Sequence, residues 1–293
     1  MGDKLKVAVI GGGSGGYPAA IRAARLGAEV ALIENDLLGG VCLNRGCIPT
    51  KALLQSGEIL KTIKDSGIFG IQCGDGKVDF RAVISRKNSV IQQLRRGVER
   101  LLAAKKIKII KGTATLLDPS TVQILETEDK IKVDKIIIAT GSRPIKLDIN
   151  GFEGPDILDS DKFLEMEDLP KSVVIIGGGV IGVEFAQILN RMGVELTILE
   201  LMENLVPEID KEIAQGLEKS IIEEGIKVFT KAEIKGITHG KDLKTIIFTV
   251  GEESKKCKAE RVIVSVGRRP DLSHLNVDTI GLAQENNTLI VNE

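Results

Sequence analysis

The sequence has 293 residues, enough for about two domains that each bury a hydrophobic core. Its formal net charge of -1, with no Trp and one Tyr, gives nucleic acid neither a positive field nor a stacking surface. No run of 18 apolar residues occurs and residues 1–6 lack the apolar stretch of a signal peptide, so we expect a cytoplasmic protein that does not enter the membrane. Four cysteines are too few for a secreted disulfide framework.

The first predicted elements form a strand–helix–strand unit. A strand at Val7–Ile10 leads into a glycine cluster at residues 11–16, and a helix at Ala19–Leu26 leads into a second strand at Glu29–Ile33. Such a unit builds a parallel sheet with a right-handed crossover. Glu34 follows the second strand, where a carboxylate can accept hydrogen bonds from the ribose of an adenosine.

The glycine cluster fits the dinucleotide-binding pattern G-x-G-x-x-G. Gly11 would allow the tight turn out of the strand, Gly13 would let a pyrophosphate approach the backbone, and Gly16 would let the helix pack closely on the sheet. The helix N-terminus then offers N–H groups to the phosphates. The alternatives are a glycine-rich turn without a ligand and a glutamate that is merely solvated.

Two cysteines, Cys42 and Cys47, follow with four residues between them. That spacing permits a disulfide if the turn is bent, and Gly46 would permit the bend. Pro49 suits the first turn of a helix predicted over Ala52–Ile63, so Cys47 would lie near a helix N-terminus, where a thiolate is favoured. Two unpaired buried cysteines remain an alternative, and a zinc pair is a weaker one because no second pair or nearby histidine exists. The isolated Cys73 and Cys257 are interpreted as structural.

The middle of the chain is predicted to contain one long helix and several strands. Phe80–Ala104 has helical spacing, Ile107–Val133 resembles a set of short strands, and Ile136–Gly141 resembles a buried strand that ends in a turn. The apolar pattern breaks near Gly151 and at Gly154–Pro155, which predicts a domain boundary there.

The strand–helix–strand unit then occurs a second time. A strand at Val173–Ile176, a glycine cluster at residues 177–182, a helix at Val183–Met192 and a strand at Glu195–Leu199 end in Glu200. The step from the middle glycine of the motif to the glutamate is 21 positions in both copies, which makes a chance match much less plausible than for one copy. A buried strand at residues 262–267 would correspond to the one at 136–141.

The remaining segment, Asp271–Glu293, is expected to begin a further domain. It would start with a strand at Leu289–Val291 that lacks its pairing partners. Of the two histidines, His239 lies in a polar hairpin-like stretch and is expected in a surface loop, and His274 fits no catalytic motif. We therefore predict domains at residues 1–149, 150–270 and 271–293.

The residues around the cysteine pair resemble a known family. The segment Gly39–Lys51, reading GGVCLNRGCIPTK, is similar to the redox-active disulfide segment of the pyridine nucleotide–disulfide oxidoreductases, and most of all to their dihydrolipoamide dehydrogenase branch. The resemblance covers the whole chain, including Ala139–Pro144 and Gly267–Pro270. It implies an α/β fold of two Rossmann-like nucleotide-binding domains, each a three-layer arrangement of a parallel sheet with an antiparallel β-meander, and without the family's dimerisation domain.

The resemblance also implies roles for individual residues. FAD would be bound in the first domain and NAD in the second. Cys47 would be the thiol beside the flavin, and Cys42 would be the outer thiol that meets the substrate disulfide. Lys51 would approach the flavin and pair with Glu184. The residues expected to contact FAD or NAD are Gly11, Gly13, Ser14, Gly16, Glu34, Gly40, Val41, Lys51, Ala114, Thr140, Gly141, Gly177, Gly179, Ile181, Gly182, Glu200, Gly267 and Arg268.

The expected reaction is oxidation of protein-bound dihydrolipoamide, with electrons passing through the disulfide and FAD to NAD+. The partner would be a lipoyl domain or lipoyl carrier protein of a 2-oxoacid dehydrogenase or glycine cleavage complex. Glu200 would repel a 2′-phosphate, and together with the aliphatic Ile181 it counts against glutathione reductase and other NADP-linked members; mercuric reductase stays open. A small thioredoxin-reductase type is disfavoured because its C-x-x-C lies in the other nucleotide domain.

The family's second flavin-binding segment and its His–Glu acid/base pair are expected beyond this sequence. The chain is therefore either part of an enzyme whose remainder is supplied elsewhere, or a truncated nucleotide-binding fragment without lipoamide turnover. The family forms homodimers, but we expect this chain not to dimerise in the family's way.

Overall fold

The structure is a computed structural model and describes residues 4–74 and 76–292. Up to residue 150 its elements are β1 (Lys6–Ile10), α1 (Gly16–Arg25), β2 (Glu29–Glu34), α2 (Gly40–Arg45), α3 (Cys47–Asp65), α4 (Phe80–Ala104), β3 (Lys108–Lys111), β4 (Ala114–Asp118), β5 (Thr121–Ile124), β6 (Lys130–Lys132), β7 (Lys135–Ile138) and β8 (Ser142–Pro144). A short 3-10 helix, Ser66–Phe69, follows α3.

The elements of the second part of the chain again include a strand–helix–strand unit and an antiparallel meander. They are β9 (Ile157–Asp159), α5 (Ser160–Phe163), β10 (Ser172–Ile176), α6 (Val180–Arg191), β11 (Glu195–Leu199), α7 (Lys211–Glu223), β12 (Lys227–Phe229), β13 (Ala232–His239), β14 (Lys244–Val250), β15 (Glu253–Ala259), β16 (Arg261–Val264), β17 (Arg268–Pro270), β18 (Gln284–Glu285) and β19 (Thr288–Leu289). A second 3-10 helix spans Val277–Ile280.

The chain divides into two compact units. The first unit comprises the described residues of 1–48, 89–143 and 268–293, and the second comprises those of 49–88 and 144–267. The division falls inside α3 and α4, so each of these helices contributes residues to both units. The functional domains at residues 1–149, 150–270 and 271–293 stay a prediction.

The first unit is built on a parallel sheet with the strand order β3-β2-β1-β7. Side chains alternate across a strand, so Val7 and Val9 pack into one cluster with α1 and α4, while Ala8 and Ile10 pack into another with β4 and β5. The antiparallel strands β4, β5 and β6 cover that second face. The first unit therefore has three layers: the helices, the parallel sheet and the antiparallel meander.

The second unit repeats the three layers on a parallel sheet with the order β12-β11-β10-β16-β9. Val173 and Ile175 of β10 pack with α6 and α7, and Val174 and Ile176 pack with the meander of β13, β14 and β15. A nearly continuous apolar strand is what burial on both faces requires. The predicted fold class, two Rossmann-like halves with a parallel sheet and a β-meander each, is confirmed.

Most predicted elements agree with the structure, and the differences lie mainly at their ends. The long helix spans Phe80–Ala104 as predicted, and the duplicated strands agree to within a residue. The helix expected over Ala52–Ile63 begins earlier, at Cys47, and the predicted strand at Ile136–Gly141 ends at Ile138. His239 is exposed, as expected, but it is the last residue of β13 and does not lie in a loop; its Nε2 lies 2.7 Å from the Gly151 carbonyl oxygen.

The prediction of an unpaired strand at Leu289–Val291 is wrong. The strand is Thr288–Leu289, and it pairs antiparallel with Gln284–Glu285. The turn between them places Asn286 and Asn287 at φ of 49° and 61°, a left-handed conformation that asparagine tolerates better than most residues. The Asn–Asn pair therefore marks a hairpin that the apolar pattern alone did not reveal.

No helix in the described part of the chain is both long enough and apolar enough to cross a membrane.

Candidate functional site

The first glycine loop joins β1 to α1 and leaves no room for side chains at two of its glycines. Gly11 has φ of +101°, and a Cβ there would lie 2.1 Å from the Ala139 carbonyl oxygen. A Cβ at Gly16 would lie 1.8 Å from the Gly11 carbonyl oxygen. A Cβ at Gly13, by contrast, would meet its nearest described atom, the Gly40 Cα, at 3.5 Å. The turn and the helix packing therefore require glycine, and the middle position is the more open one.

The second loop, between β10 and α6, has the same construction. Gly177 also has φ of +101°, and a Cβ there would lie 2.5 Å from the Ser265 carbonyl oxygen. A Cβ at Gly182 would lie 2.0 Å from the Gly177 carbonyl oxygen. At Gly179, no described atom lies within 4 Å of where a Cβ would stand. This is the position where a pyrophosphate approaches the backbone in the dinucleotide-binding motif.

Glu34, which ends β2, and Glu200, which follows β11, hold their glycine loops by hydrogen bonds. The Gly12 N–H donates to Glu34 Oε2 at 2.6 Å, and the Gly178 N–H donates to Glu200 Oε2 at 2.5 Å. The other oxygen of each carboxylate accepts from the backbone two residues later, at Asp36 (2.8 Å) and Met202 (2.7 Å). Both carboxylates are thus fixed in place, and each oxygen keeps a lone pair for a ribose hydroxyl. The sequence motif did not reveal this structural role.

The helices that follow the two loops have N-termini without a side-chain cap. Gly15 precedes α1 and Gly179 precedes α6, and no described side chain caps either helix. By contrast, Asp159 caps α5 and Asp210 caps α7 through their carboxylates. The first N–H groups of α6 therefore remain to be satisfied by water or an anion. Fewer remain at α1, because the Tyr17 N–H donates to the Gly13 carbonyl oxygen at 3.0 Å and Pro18 has no N–H. The residues present at both loops fit a dinucleotide pyrophosphate.

The cysteine segment is folded tightly against the first glycine loop. Gly39 and Gly40 have φ of +97° and +62°, and a Cβ at Gly40 would lie 2.5 Å from the Gly13 Cα. The buried Asn44 donates from Nδ2 to the carbonyl oxygens of Leu38 (3.1 Å) and Gly40 (2.9 Å). Asn44 lies between the two cysteines and fixes the loop that leads to them. We did not predict it, since a single asparagine carries no local signal for this role.

The two cysteines lie on successive helices, and the structure records both as thiols. Cys42 is half-buried in α2, and Cys47 is exposed at the first residue of α3, which agrees with the predicted helix N-terminus. Gly46 joins the helices at φ of −145°, and a Cβ there would lie 3.0 Å from the Val41 carbonyl oxygen. A side chain at residue 46 would therefore be crowded by α2, and the disulfide stays a prediction. Among the described residues, no group of three His, Cys, Asp or Glu side chains gathers to hold a metal ion.

Lys51 and Glu184 are brought together, as predicted. The Lys51 Nζ lies 2.7 Å from Glu184 Oε1 and 3.0 Å from Oε2. Lys51 lies one turn after Cys47 on α3, and Glu184 lies in the second turn of α6, after the second glycine loop. The Lys51 side chain is 57% exposed and that of Glu184 is 22% exposed, so the ammonium is accessible to a ligand.

The other predicted contact residues fall into three groups. Ser14, Val41, Thr140 and Gly141 have exposed or half-buried positions in loops or near the glycine loop, and the Gly141 carbonyl oxygen accepts from the Asp271 N–H at 3.0 Å. The side chains of Ala114 and Ile181 pack into hydrophobic clusters, so Ala114 could contact a ligand only through its backbone. Gly267 has φ of +116°, and Arg268 donates from Nε to Ser142 Oγ at 3.0 Å.

Comparison with known proteins agrees with this arrangement. The sequence profile of the pyridine nucleotide-disulphide oxidoreductases matches residues 5–293. A dihydrolipoyl dehydrogenase of Bacillus subtilis is 40% identical over 283 residues, which cover 95% of this chain and 61% of the relative. A mercuric reductase of Lysinibacillus sphaericus is 33% identical over 99% of this chain and 53% of the relative.

A solved structure also resembles this one. The HOCl-induced flavoprotein disulfide reductase RclA of Escherichia coli matches with a TM-score of 0.85 and 28% identity, over 98% of this chain and 62% of that one. The chain thus spans about three fifths of the length of RclA and of the Bacillus subtilis relative. The profile match, the relatives and the paired glycine loops agree: this chain belongs to the pyridine nucleotide–disulfide oxidoreductase family.

Proposed function

We propose that the chain is the nucleotide- and disulfide-bearing part of a dihydrolipoyl dehydrogenase that uses FAD and NAD. One observation carries the proposal. Helix α3 begins at the exposed Cys47 and, one turn later, presents Lys51 to Glu184 on the helix that follows the second glycine loop. The chain thus carries a thiol, a lysine–glutamate pair and a dinucleotide-type loop, which are groups that a transfer of electrons from thiols to a nicotinamide would use.

The proposed reaction converts dihydrolipoamide and NAD+ to lipoamide, NADH and a proton. A substrate thiolate attacks the Cys42 sulfur of a Cys42–Cys47 disulfide, which forms a mixed disulfide with Cys42 and releases the Cys47 thiolate. The second substrate thiol then attacks the substrate sulfur of this mixed disulfide, which closes the lipoamide ring and releases Cys42. FAD, when bound, would carry the two electrons from these thiols to NAD+. The outer role of Cys42 and the inner role of Cys47 are those that the family resemblance implies, and Cys47 starts the helix that bears Lys51.

This chain would bind the two nucleotides through the backbone of its glycine loops and through the carboxylates of two glutamates. Gly11, Gly13 and Glu34 would hold the ADP part of FAD, and Gly179 and Glu200 would hold that of NAD. The fixed negative charge of Glu200 favours an unmodified ribose, because a 2′-phosphate there would face a carboxylate with no arginine among the next four residues. Lys51 would supply a positive charge near the flavin, held by Glu184.

The proposed partner is a protein-bound lipoyl group of a 2-oxoacid dehydrogenase or glycine cleavage complex. This proposal is supported by the dihydrolipoyl dehydrogenases among the relatives. The acid/base of the family, a His–Glu pair, is expected in sequence beyond this chain. A group of that kind contributes about 10²–10⁴-fold to a rate, so full turnover is expected only where it is supplied.

An absorption spectrum tests the proposal. The purified chain is incubated with FAD, desalted and reduced anaerobically with NADH, and the matched variants are Cys47→Ser and Cys73→Ser. We expect a bound flavin spectrum with a long-wavelength band on two-electron reduction, retained in Cys73→Ser and lost in Cys47→Ser. A bound flavin whose long-wavelength band is the same in Cys47→Ser would overturn the assignment of that thiol, and a chain that takes up no FAD would overturn flavin binding by these residues alone.

Mercuric reductase is the second candidate, since one such relative covers 99% of this chain. The two activities differ in substrate and in nucleotide. NADH-linked lipoamide reduction without NADPH-linked reduction of Hg2+ supports the first proposal, and the reverse result supports the second.

A further inference from the structure

Helices α3 and α6 are joined by two ion pairs of opposite polarity. Lys51 pairs with Glu184, and two turns further along both helices Glu58 pairs with Arg191, Arg191 Nη1 lying 2.6 Å from Glu58 Oε1. Each pair spans 133 residues in sequence, so both helices advance together by seven positions between the pairs. Seven residues are two turns, or about 10.5 Å along a helix. The helices therefore run in the same direction with matched contacts.

Arg191 is the buried member of the second pair. Its side chain is 10% exposed, and its Nε is buried and has no hydrogen-bond partner within residues 4–74 and 76–292. Its Nη2 lies 3.8 Å from Glu224 Oε1 of the residue that follows α7. A buried guanidinium needs its partners, because an unpaired buried charge strongly destabilises the fold. Glu58 and Glu224 are those partners.

A glycine on α3 provides the space that Arg191 occupies. A Cβ at Gly57 would lie 3.3 Å from both Cβ and Cδ of Arg191, so the aliphatic stem of the arginine lies directly on the glycine. Gly57 is buried, and it is the residue before Glu58. The stem on Gly57 and the guanidinium on Glu58 together fix both the separation and the axial position of α3 and α6.

The opposite polarity of the two pairs makes this register selective. On α3 the order along the chain is cation then anion, and on α6 it is anion then cation. A slide of two turns in one direction would bring Glu58 opposite Glu184, and in the other it would bring Lys51 opposite Arg191. Both alternatives place like charges together, so only the observed register satisfies both pairs.

We propose that the Glu58–Arg191 pair is a positioning device that sets the register of α3 on α6 and so holds the Lys51 ammonium on Glu184. The position of Lys51 matters to catalysis only if the proposed function is right, but the coupling itself does not depend on it. Arg191 and Glu58 are positioning residues, since neither is expected to touch a nucleotide or the cysteines.

The test measures the reactivity of Lys51 towards an amine reagent in the full chain without any nucleotide. Ion pairing withholds an amine from the reagent, so Glu184→Gln, which removes the direct partner, sets the largest increase in the modification rate of the Lys51 peptide. In Glu184→Gln we expect the modification rate of Lys51 to rise about twofold to fivefold, which corresponds to the loss of an exposed ion pair. In Glu58→Ala we expect the rate to rise by a large part of that increase. Glu223→Ala, which breaks the exposed Lys219–Glu223 pair of α7, is the matched control and should leave Lys51 unchanged.

A double variant distinguishes positioning from general destabilisation. If Glu58 acts through the Lys51–Glu184 pair, Glu58→Ala combined with Glu184→Gln should react no faster at Lys51 than Glu184→Gln alone. Glu58→Gln keeps an acceptor for Arg191 and should restore most of the wild-type rate, which also keeps the test open if the alanine variant folds poorly.

Additive effects in the double variant, or an unchanged Lys51 rate in a folded Glu58→Ala chain, would overturn the proposal. Because no flavin or turnover enters the measurement, its failure is separate from that of the proposed function.

Discussion

The Gly178 N–H donates to Glu200 Oε2 at 2.5 Å, so the acid expected to bind a ribose also holds the glycine loop expected to bind the pyrophosphate. Gly12 and Glu34 repeat the relationship in the first unit. A single carboxylate would thus fix two parts of the proposed nucleotide site at once. It follows that a substitution of Glu200 affects the loop as well as the direct contact.

Replacing Glu200 with alanine should weaken NADH binding about 10–100-fold, which corresponds to about 1.4–2.8 kcal/mol. The variant loses the ribose acceptor and leaves the backbone N–H groups of Gly178 and Met202 without their carboxylate partner. Fluorescence titration with NADH measures the change. Glu203→Ala is the control, because Glu203 is exposed and pairs only with the surface residue Lys231 among the described contacts. Equal affinity for NADH in wild type and Glu200→Ala would show that Glu200 does not bind the ribose.

Alanine at two glycines of the second unit should change stability in opposite directions. At Gly177 a Cβ would lie 2.5 Å from a backbone oxygen at a positive φ, so Gly177→Ala should destabilise the fold by more than about 1 kcal/mol. At the exposed Gly216 of α7 no described atom lies within 4 Å, so Gly216→Ala should stabilise it by about 0.5–1 kcal/mol through helix propensity.

Thermal melting followed by circular dichroism compares the two variants with wild type. A rise in Tm of about 2–4 °C is expected for Gly216→Ala and a fall for Gly177→Ala. Unchanged or raised stability in Gly177→Ala would contradict the geometry of the second glycine loop, and lowered stability in Gly216→Ala would contradict the open position in α7.

Cys257 should be the slowest thiol of the protein to alkylate. Burial of its thiol raises the pKa to about 11, although the nearby Lys227 acts weakly in the other direction. The thiolate is the reactive form, so at pH 8 only about 0.1% of Cys257 is reactive. Iodoacetamide at pH 8 should therefore modify Cys257 at least about tenfold more slowly than the exposed Cys73.

The pH dependence of the alkylation rate shows the direction of the pKa shift of Cys257. Because the pKa is raised, the Cys257 rate should keep rising about tenfold per pH unit between pH 8 and 10, where an ordinary thiol reaches its plateau. Peptide mass spectrometry resolves the sites. A plateau for Cys257 below pH 9.5 would show that the thiol is not buried as the structure has it.

Local patterns predicted the fold because each strand carries its own packing information. The alternation of Val7, Ala8, Val9 and Ile10 gives both faces of β1 apolar side chains, and the repeated spacing from Gly13 to Glu34 identified the duplicated unit. The hairpin at residues 284–289 was missed because strands of two residues have no periodicity, although Asn286–Asn287 is a turn signal.

Contacts between distant residues were beyond such patterns. Lys51 and Glu184 were paired only through the family resemblance, and Glu58 with Arg191 were not predicted at all. Each pair joins residues 133 positions apart, and a single sequence gives no measure of which charged residues on two helices will meet. Asn44 is a similar case, because its hydrogen bonds are to backbone carbonyl groups that come close to it only in the folded loop.

The buried Lys87 should make stability depend on pH in a way that its removal abolishes. Lys87 is 4% exposed in α4 and donates from Nζ to the Leu164 carbonyl oxygen. Burial lowers the pKa of this ammonium below its usual 10.5, and the weaker attraction of Glu165 does not offset it. Below the lowered pKa the folded state bears the cost of a buried charge.

Between the lowered pKa of Lys87 and 10.5 the unfolded chain binds more protons than the folded one, so the contribution of Lys87 to stability rises with pH in that window. Urea unfolding of wild type and Lys87→Met from pH 7 to 10.5 isolates this contribution as a difference, since the other titrating groups are common to both chains. Wild type should gain stability relative to Lys87→Met as the pH rises. Lys219→Met, at an exposed lysine of α7, is the control and should show no such gain. A constant difference across the whole range would mean that the folded state leaves the pKa of Lys87 at its ordinary value.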